Sequence, residues 1–208
     1  MNTENPGGKQ DIAPALLTGL VLAGGQSARM QSAGQAPVDK GLAVWQGEPL
    51  IALAQRYLAP KVGRLCISAN RNLDTYAQYG EVLTDDPSLG ENAGPLAGIA
   101  SVMAQAATPW LMVIPVDVPN LPDDLVGRLI EAVVATPGKI AYASTSARVH
   151  PLCMLVHKDL LGSLRKFLIA GERKVQYWQR ANQALEVQFS DAEDKFFNIN
   201  RPEDLLQG

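Results

Sequence analysis

Short apolar runs alternate along this chain with longer segments whose apolar residues recur at helical spacing. The runs from Leu16 to Leu22 and from Trp110 to Pro115 are short and end in turn residues, which is typical of buried strands. Apolar residues from Leu50 to Leu58 recur at helical spacing and predict a helix that Pro60 ends. The same criteria predict further strands at 42–45, 65–68, 81–84, 139–143, 150–156, 186–189 and 196–199. They predict further helices at 92–107, 157–170, 175–180 and 202–206. Another helix is predicted to begin at Pro122, with Asp123 and Asp124 in its first turn.

This alternation of strands and helices, joined by short loops, predicts an α/β fold. We expect a mostly parallel central sheet flanked by helices on both faces, in one Rossmann-like three-layer domain. No repeat or low-complexity linker divides the chain, so we assign residues 16–208 to this domain and residues 1–15 to a flexible tail. In such folds ligands bind at the carboxyl ends of the strands.

Composition and charge exclude several classes of partner. A net charge of −3 gives no electrostatic support for binding nucleic acid or an anionic membrane. The polar start lacks the apolar core of a signal peptide, and no stretch has the length of a membrane span, so we expect a cytoplasmic protein. Cys66 and Cys153 lie far apart without metal-ligand spacing and are expected to be reduced core residues.

The segment after the first strand contains candidate phosphate-binding groups. Arg29 and Lys40 supply positive charge there, and backbone N–H groups between small residues can bind phosphates. The segment is neither a Walker A loop nor a GxGxxG fingerprint, because neither spacing occurs. It predicts a nucleoside triphosphate loop, with a plain turn as the alternative. The loop begins with Leu22, Ala23, Gly24 and Gly25.

Polar side chains follow three other predicted strands. Asp117 lies between two prolines at the end of an apolar strand, where a carboxylate is costly unless it is paired. Magnesium prefers such oxygen ligands, and the alternative is that Asp117 caps the following turn. Ser68, Asn70 and Asp85 follow two further strands, and Asp86 is the alternative to Asp85. We expect these side chains to meet at one edge of the sheet.

The sequence resembles the molybdenum cofactor guanylyltransferases within the nucleotidylyltransferase family. The resemblance rests on LAGG-x-S-x-RM followed by DKGL, on G-P-L-A-G at 94–98 and on F-x-N-x-N-x-P-E-D-L at 196–205. It runs from about Gly19 to Leu205 in the family's order. The chain departs from the family pattern at Gln31, where the family has glycine, and by the insertion at 31–38, whose role stays open.

The resemblance implies transfer of GMP from Mg²⁺-GTP to the molybdenum-molybdopterin cofactor, with release of pyrophosphate. It implies catalytic roles for Arg29, Lys40 and Asp117, with Asp117 binding Mg²⁺. It implies nucleotide contacts from the loop, Lys40, Asp85 and Asp117, and base contacts at Ser68 or Asn70, which stay open. On the pterin side it implies contacts from His150, Arg173, Asn198 and Asn200. For the two asparagines the alternative is that they hold the C-terminal strand.

Two alternatives to this function remain from the sequence. One is the same chemistry with a cytidylyl donor or a sugar-phosphate acceptor. The other is a carrier that binds nucleotide or pterin without catalysing transfer. The implied partners are GTP, the molybdopterin cofactor, molybdoenzymes that receive the product and other proteins of cofactor biosynthesis; oligomeric state stays open.

Overall fold

A computed structural model describes residues 12–24, 39–90 and 93–206. The strands are β1 Leu17–Leu22, β2 Val44–Trp45, β3 Glu48–Pro49, β4 Arg64–Ser68, β5 Glu81–Leu83, β6 Trp110–Pro115, β7 Ile140–Ser144, β8 Val149–His157 and β9 Leu185–Gln188. The α-helices are α1 Leu50–Leu58, α2 Leu73–Tyr76, α3 Pro95–Gln105, α4 Leu125–Ala135, α5 Leu161–Ile169 and α6 Val175–Ala181. None of the helices in these ranges is long and apolar enough to cross a membrane.

The central sheet has the order β5-β4-β1-β6-β8-β7-β9 in the described part of the chain. β8 runs antiparallel to β6 and β7, and the other neighbouring strands pair in parallel. β2 and β3 form a separate small hairpin. The α/β fold with a mostly parallel sheet is therefore confirmed.

Helices cover both faces of this sheet. Leu17 and Val21 of β1 pack into a core with apolar residues of α1 and α4. Leu20 of β1 points to the opposite core, which contains residues of α3, α5 and α6. Because successive side chains of a strand point to opposite faces, one short apolar run fills both cores. Cys66 and Cys153 are buried free thiols, as predicted, and burial raises the pKa of both.

Several element boundaries differ from the prediction. The helix expected from Pro122 begins at Leu125, with Asp124 directly before it. The helix expected at 157–170 begins at Leu161, after a 3₁₀ turn, because His157 ends β8 instead. α2 was not predicted, since four residues are too few to give a helical period.

The strand predicted at 196–199 is wrong. Phe196 ends a 3₁₀ turn, and the following residues lie across the carboxyl edge of the sheet without strand pairing among the described residues. Phe196 and Ile199 are buried, which explains the apolar signal. The backbone N–H of Ile199 donates to the carbonyl oxygen of Asp117 over 2.8 Å, so this segment is held by loop contacts.

The N-terminal part of the described chain packs on the domain. Ile12 contacts the core around β1, and Pro14–Leu16 forms a 3₁₀ turn that leads into β1. Residues 12–15 of the flexible tail predicted at 1–15 make these contacts, and residues 1–11 lie outside the described residues.

Candidate active site

Three polar side chains from distant parts of the chain meet at the carboxyl edge of the sheet. Nζ of Lys40 lies 2.6 Å from Oδ2 of Asp117 and 2.9 Å from Oδ1 of Asn200. The side chains of Lys40 and Asp117 are only 12% and 19% exposed. The structure thus joins two residues predicted to bind nucleotide with one predicted on the pterin side.

Asp117 is fixed by the strands that flank it. It follows β6, and the N–H of its neighbour Val116 donates to the carbonyl oxygen of Leu22 over 3.1 Å. Its own carbonyl oxygen accepts from the N–H of Ile199. The end of β1, the end of β6 and the C-terminal segment therefore meet at Asp117.

The short 3₁₀ turn at Lys40–Leu42 begins with a capping carboxylate. Oδ1 of Asp39 accepts from the N–H of Gly41 over 3.2 Å and also from the hydroxyl group of Tyr76. Oδ2 of Asp39 accepts from Nδ2 of Asn72 over 2.7 Å. The residue before Lys40 is thus held by three donors.

The loop after β1 is described only as far as Gly24. The N–H of Ala23 donates to the carbonyl oxygen of Ser68 over 2.9 Å, so the sheet already uses this group. Gly24 lies beside Asn70, whose Nδ2 would be 3.8 Å from a Cβ at this position. The N–H of Ala23, a predicted nucleotide contact, therefore already has an acceptor. Gly25 and Arg29, both predicted site residues, lie outside the described residues.

A second polar cluster follows β4 and β5. Nδ2 of Asn70 donates to Oδ2 of Asp85 over 2.9 Å, and the N–H of Asp85 donates back to Oδ1 of Asn70 over 2.9 Å. The hydroxyl group of Ser68 lies 3.5 Å from Oδ1 of Asp85. A Cβ on Gly98 of α3 would collide with Ser68 and contact Asp85. Glycine at this position leaves room for the carboxylate.

The neighbouring Asp86 has other partners. Its carboxylate accepts from the N–H of Ser88 over 2.9 Å, and its own N–H donates to the hydroxyl oxygen of Ser101 over 2.7 Å. The bond to Ser88 holds the pKa of Asp86 below its ordinary value. Asp86 caps the turn at Pro87–Leu89, so Asp85 is the carboxylate that faces Ser68 and Asn70.

The C-terminal segment is held by a residue that the sequence did not indicate. Nη2 of Arg148 donates to the carbonyl oxygen of Phe196 over 2.7 Å and to Oδ1 of Asn198 over 3.0 Å. Because β8 is reversed, its N-terminal end lies at the same edge as the carboxyl ends of the parallel strands. This reversal places Arg148, in the turn between β7 and β8, at the site.

His150 lies beneath this segment. It is 7% exposed, and its ring stacks on Phe196 at a centroid distance of 4.3 Å. Burial, with a smaller effect of the Arg148 guanidinium, lowers the pKa of His150 to about 4. The imidazole is therefore neutral at neutral pH, and it has little surface for direct contact with a ligand.

Arg173 lies in the turn between α5 and α6. Its Nη1 donates to the carbonyl oxygens of Leu168 and Glu172, and Nη2 would be 3.7 Å from a Cβ on Gly90. It lies near the turn that follows β5. Within the described ranges no hydrogen bond or ion pair joins Arg173 to Lys40 or Asp117, so it lies outside the cluster that these two residues form.

Oxygen donors for a divalent cation lie close together beside Lys40. Oδ2 of Asp117 and Oδ1 of Asn200 converge on the same ammonium group. A carboxylate and an amide oxygen, completed by phosphate oxygens and water, form the set that Mg²⁺ prefers. No group of three or more His, Cys, Asp or Glu in the described part of the chain could hold a metal ion. The residues therefore fit a cation bound jointly with a substrate.

Comparison with known proteins identifies the family of this chain. Residues 19–186 match the family described as the MobA-like NTP transferase domain. The chain is 41% identical to the molybdenum cofactor guanylyltransferase of Bordetella pertussis, over 92% of this chain and 95% of that protein. It is 38% identical to the enzyme of the same name from Shewanella loihica, over 90% of this chain and 93% of that protein.

A solved structure shares the fold. The molybdopterin-guanine dinucleotide biosynthesis protein A of Archaeoglobus fulgidus superposes with a TM-score of 0.73 at 19% identity. The match covers 91% of this chain and 95% of that one.

Proposed function

The chain belongs to the MobA-like NTP transferase family and is a nucleotidyltransferase, and from this we propose that it transfers GMP from GTP to the molybdenum-molybdopterin cofactor. The products are the guanine dinucleotide form of the cofactor and pyrophosphate. The meeting of Lys40, Asp117 and Asn200 near the end of β1 carries the proposal. The names of the relatives support the choice of substrates.

The chemistry requires no nucleophile from the protein. An oxygen of the cofactor's terminal phosphate attacks the α-phosphorus of GTP, and a new P–O bond forms there. The bond from the α-phosphorus to the bridging oxygen of the β-phosphate breaks, and pyrophosphate leaves with that electron pair. Catalysis then consists of positioning and of offsetting negative charge.

Lys40 is the cationic side chain available for this in the described part of the cluster. Its ammonium is held by Asp117 and Asn200, and phosphate oxygens of the nucleotide can replace either acceptor. Gly24 and the loop beyond it provide backbone N–H groups for the triphosphate. In our proposal Arg29 acts from the same loop.

Members of this family generally use a divalent metal ion. Asp117 and Asn200 would hold Mg²⁺ through their oxygens, and the ion, when bound, supplies positive charge to the phosphates. Lys40 would then be released from Asp117 towards the nucleotide. The exchange keeps the carboxylate paired with a cation, which a poorly solvated carboxylate requires.

The Ser68–Asn70–Asp85 cluster supports guanine as the base. Asn70 uses both of its polar ends on Asp85, so it orients the carboxylate. Guanine presents two adjacent N–H donors on its Watson–Crick edge, and a carboxylate can accept from both. Cytosine presents one amino donor beside acceptor atoms, which a carboxylate matches less well. Asp85 therefore favours GTP over CTP as the donor.

On the acceptor side, we propose contacts from two separate parts of the structure, the C-terminal segment and the α5–α6 turn. Asn198 and Asn200 provide amides there, and Arg173 provides a positive charge for the phosphate of the pterin. His150 packs against the C-terminal segment through its ring contact with Phe196. Its neutral ring contributes shape, without adding charge.

Pyrophosphate release with Mg²⁺, molybdopterin cofactor and either GTP or CTP tests the proposal. We expect release with GTP and not with CTP, and loss of release in Asp117→Asn. Release with CTP alone would support the cytidylyl alternative. If GTP binds but neither nucleotide yields pyrophosphate, the chain acts as a carrier and the proposed transfer is wrong.

A further inference from the structure

Asp39 lies in the Asp39-Lys40-Gly41 motif, and its carboxylate is held by a separate helix. Two of its three donors, the hydroxyl group of Tyr76 and Nδ2 of Asn72, come from α2 and the residue directly before it. The third is the N–H of Gly41, which lies on the far side of Lys40 in the chain. These contacts fix the backbone on both sides of Lys40.

Tyr76 is built into the core at this point. Its side chain is 0% exposed, and burial, followed by the bond to Asp39, raises the pKa of its hydroxyl group. It therefore stays protonated and acts as a donor across the physiological range. A Cβ on Gly41 would collide with this hydroxyl group, so Tyr76 and the Lys40–Leu42 turn are in close contact.

Asn72 binds Asp39 instead of capping α2. It precedes α2 with φ 51° and ψ 36°, in the left-handed region, and its side chain makes no capping bond to the described residues of the helix. Asparagine at a helix N-terminus usually caps the helix, which stabilises it by about 1 kcal/mol. Here the amide donates to Oδ2 of Asp39 instead.

From these contacts we infer that Tyr76 and Asn72 are positioning residues, which act through Asp39 to aim the ammonium group of Lys40 at Asp117 and at the triphosphate. They do not touch a substrate themselves. The part of this inference that concerns the triphosphate rests on the proposed function, whereas the part that concerns Asp117 does not.

A chemical-labelling experiment tests the first part without any substrate. The rate of reductive methylation of each lysine is measured by mass spectrometry in the parent protein and in Tyr76→Phe, Asp117→Asn and Tyr57→Phe. Lys40 must leave Asp117 and Asn200 before its amine can react, so we expect faster labelling in Tyr76→Phe and Asp117→Asn. Lys139, which pairs with Asp159 elsewhere, is the internal reference.

Tyr57→Phe is the matched control. Tyr57 is also largely enclosed and its hydroxyl group donates to the carbonyl oxygen of Pro122 over 2.6 Å. Tyr57→Phe also removes the hydrogen bond of a tyrosine hydroxyl group, here one to a neutral carbonyl oxygen away from Asp39, and should leave the labelling of Lys40 unchanged. Unchanged Lys40 labelling in Tyr76→Phe, or an equal increase in Tyr57→Phe, would overturn the inference.

A double-mutant cycle on GTP affinity tests the second part. We expect Tyr76→Phe to weaken GTP binding about tenfold in the parent protein, since hydrogen bonds to charged groups are among the stronger ones. In a Lys40→Ala background the same change should have almost no effect, because its target is gone. Equal effects in both backgrounds would indicate general loosening and overturn the inference. If the parent protein binds no GTP, the proposed function is wrong. The labelling result would still test whether Tyr76 positions Lys40 towards Asp117.

Discussion

Lys40 and Asp117 form an ion pair with 2.6 Å between Nζ and Oδ2, although 77 positions separate them in the chain. Both side chains are mostly enclosed, so removing one leaves a poorly solvated charge. The pair also places a cation and a carboxylate at the same point, where the proposed transfer uses both.

Asp117→Asn should reduce guanylyl transfer by at least about 100-fold, the order expected for loss of an electrostatic contact in the transition state. The amide keeps the shape of the side chain but loses the negative charge that pairs with Lys40 or a metal ion. Pyrophosphate release and circular dichroism on the same sample measure activity and folding. Asp123→Asn, an exposed acid in the same loop, is the control and should retain activity. Near-normal turnover in a folded Asp117→Asn protein would exclude the metal assignment.

Gly98→Ala should weaken GTP binding and lower the free energy of unfolding by about 1–3 kcal/mol, as for other overpacked sites. The added methyl group would collide with Ser68 and press on Asp85. Isothermal titration calorimetry and urea unfolding measure the two effects.

Gly127→Ala is the matched control for Gly98→Ala. Gly127 lies inside α4, and a Cβ there meets no described atom within 4 Å. Alanine should therefore stabilise the helix by about 0.5–1 kcal/mol and leave GTP binding unchanged. Equal affinity in both variants would show that Ser68 and Asp85 lie outside the nucleotide site.

Arg148→Ala should loosen the C-terminal segment, because it removes the donor to Phe196 and Asn198. We expect the amide of Ile199 to exchange with deuterium about tenfold faster, and transfer to slow as Asn200 moves from Lys40. Arg56→Ala, which removes an exposed ion pair with Glu48, should change neither quantity. Unchanged exchange at Ile199 would mean that packing of Phe196 alone holds the segment.

His150 should make the protein less stable in mild acid. The folded pKa of about 4 lies below the ordinary value of 6.5, so the unfolded chain binds a proton more readily. The contribution of the neutral ring is complete above about pH 6.5 and declines as pH falls towards the folded value.

Melting temperatures between about pH 7.5 and about pH 5.5 measure this effect, since most carboxylates stay ionised there. His150→Phe should flatten the dependence on pH. The pKa of His157 is also lowered, mainly by burial, so His157→Gln shows the part that belongs to the other histidine. An unchanged slope in His150→Phe would contradict the assignment.

The sequence predicted best where hydrophobic pattern alone determines structure. β6 at Trp110–Pro115 and α1 at Leu50–Leu58 have the predicted bounds, because their apolar spacing has one explanation each. The strand predicted at 196–199 was wrong because Phe196 and Ile199 are buried. Buried apolar residues give the same sequence pattern in a strand and in a loop that packs on a core. The reversal of β8 was equally invisible, because a strand buried on both faces has the same apolar pattern in either direction.

The candidate site was predictable where it follows strands. The predicted edge of the sheet carries Asp117, Asp85, Ser68 and Asn70, although the roles of these residues stay predictions. Arg148 was not predictable, since a single arginine in a turn carries no pattern. The hydrogen bond from Tyr76 to Asp39 was not predictable either. Tyr76 lies in a helix too short to be recognised from its sequence, and only the tertiary fold brings it to Asp39.

The hydrogen bond from Lys40 to Asn200 spans 160 positions, which sets an order of events during synthesis. When β1 and Lys40 have been synthesised, almost all of the remaining domain must still be translated before Asn200 is present. A ribosome-bound intermediate that ends before Asn200 can already contain the ion pair with Asp117, but it lacks the last member of the cluster. The contact between Lys40 and Asn200 can therefore form only late in translation.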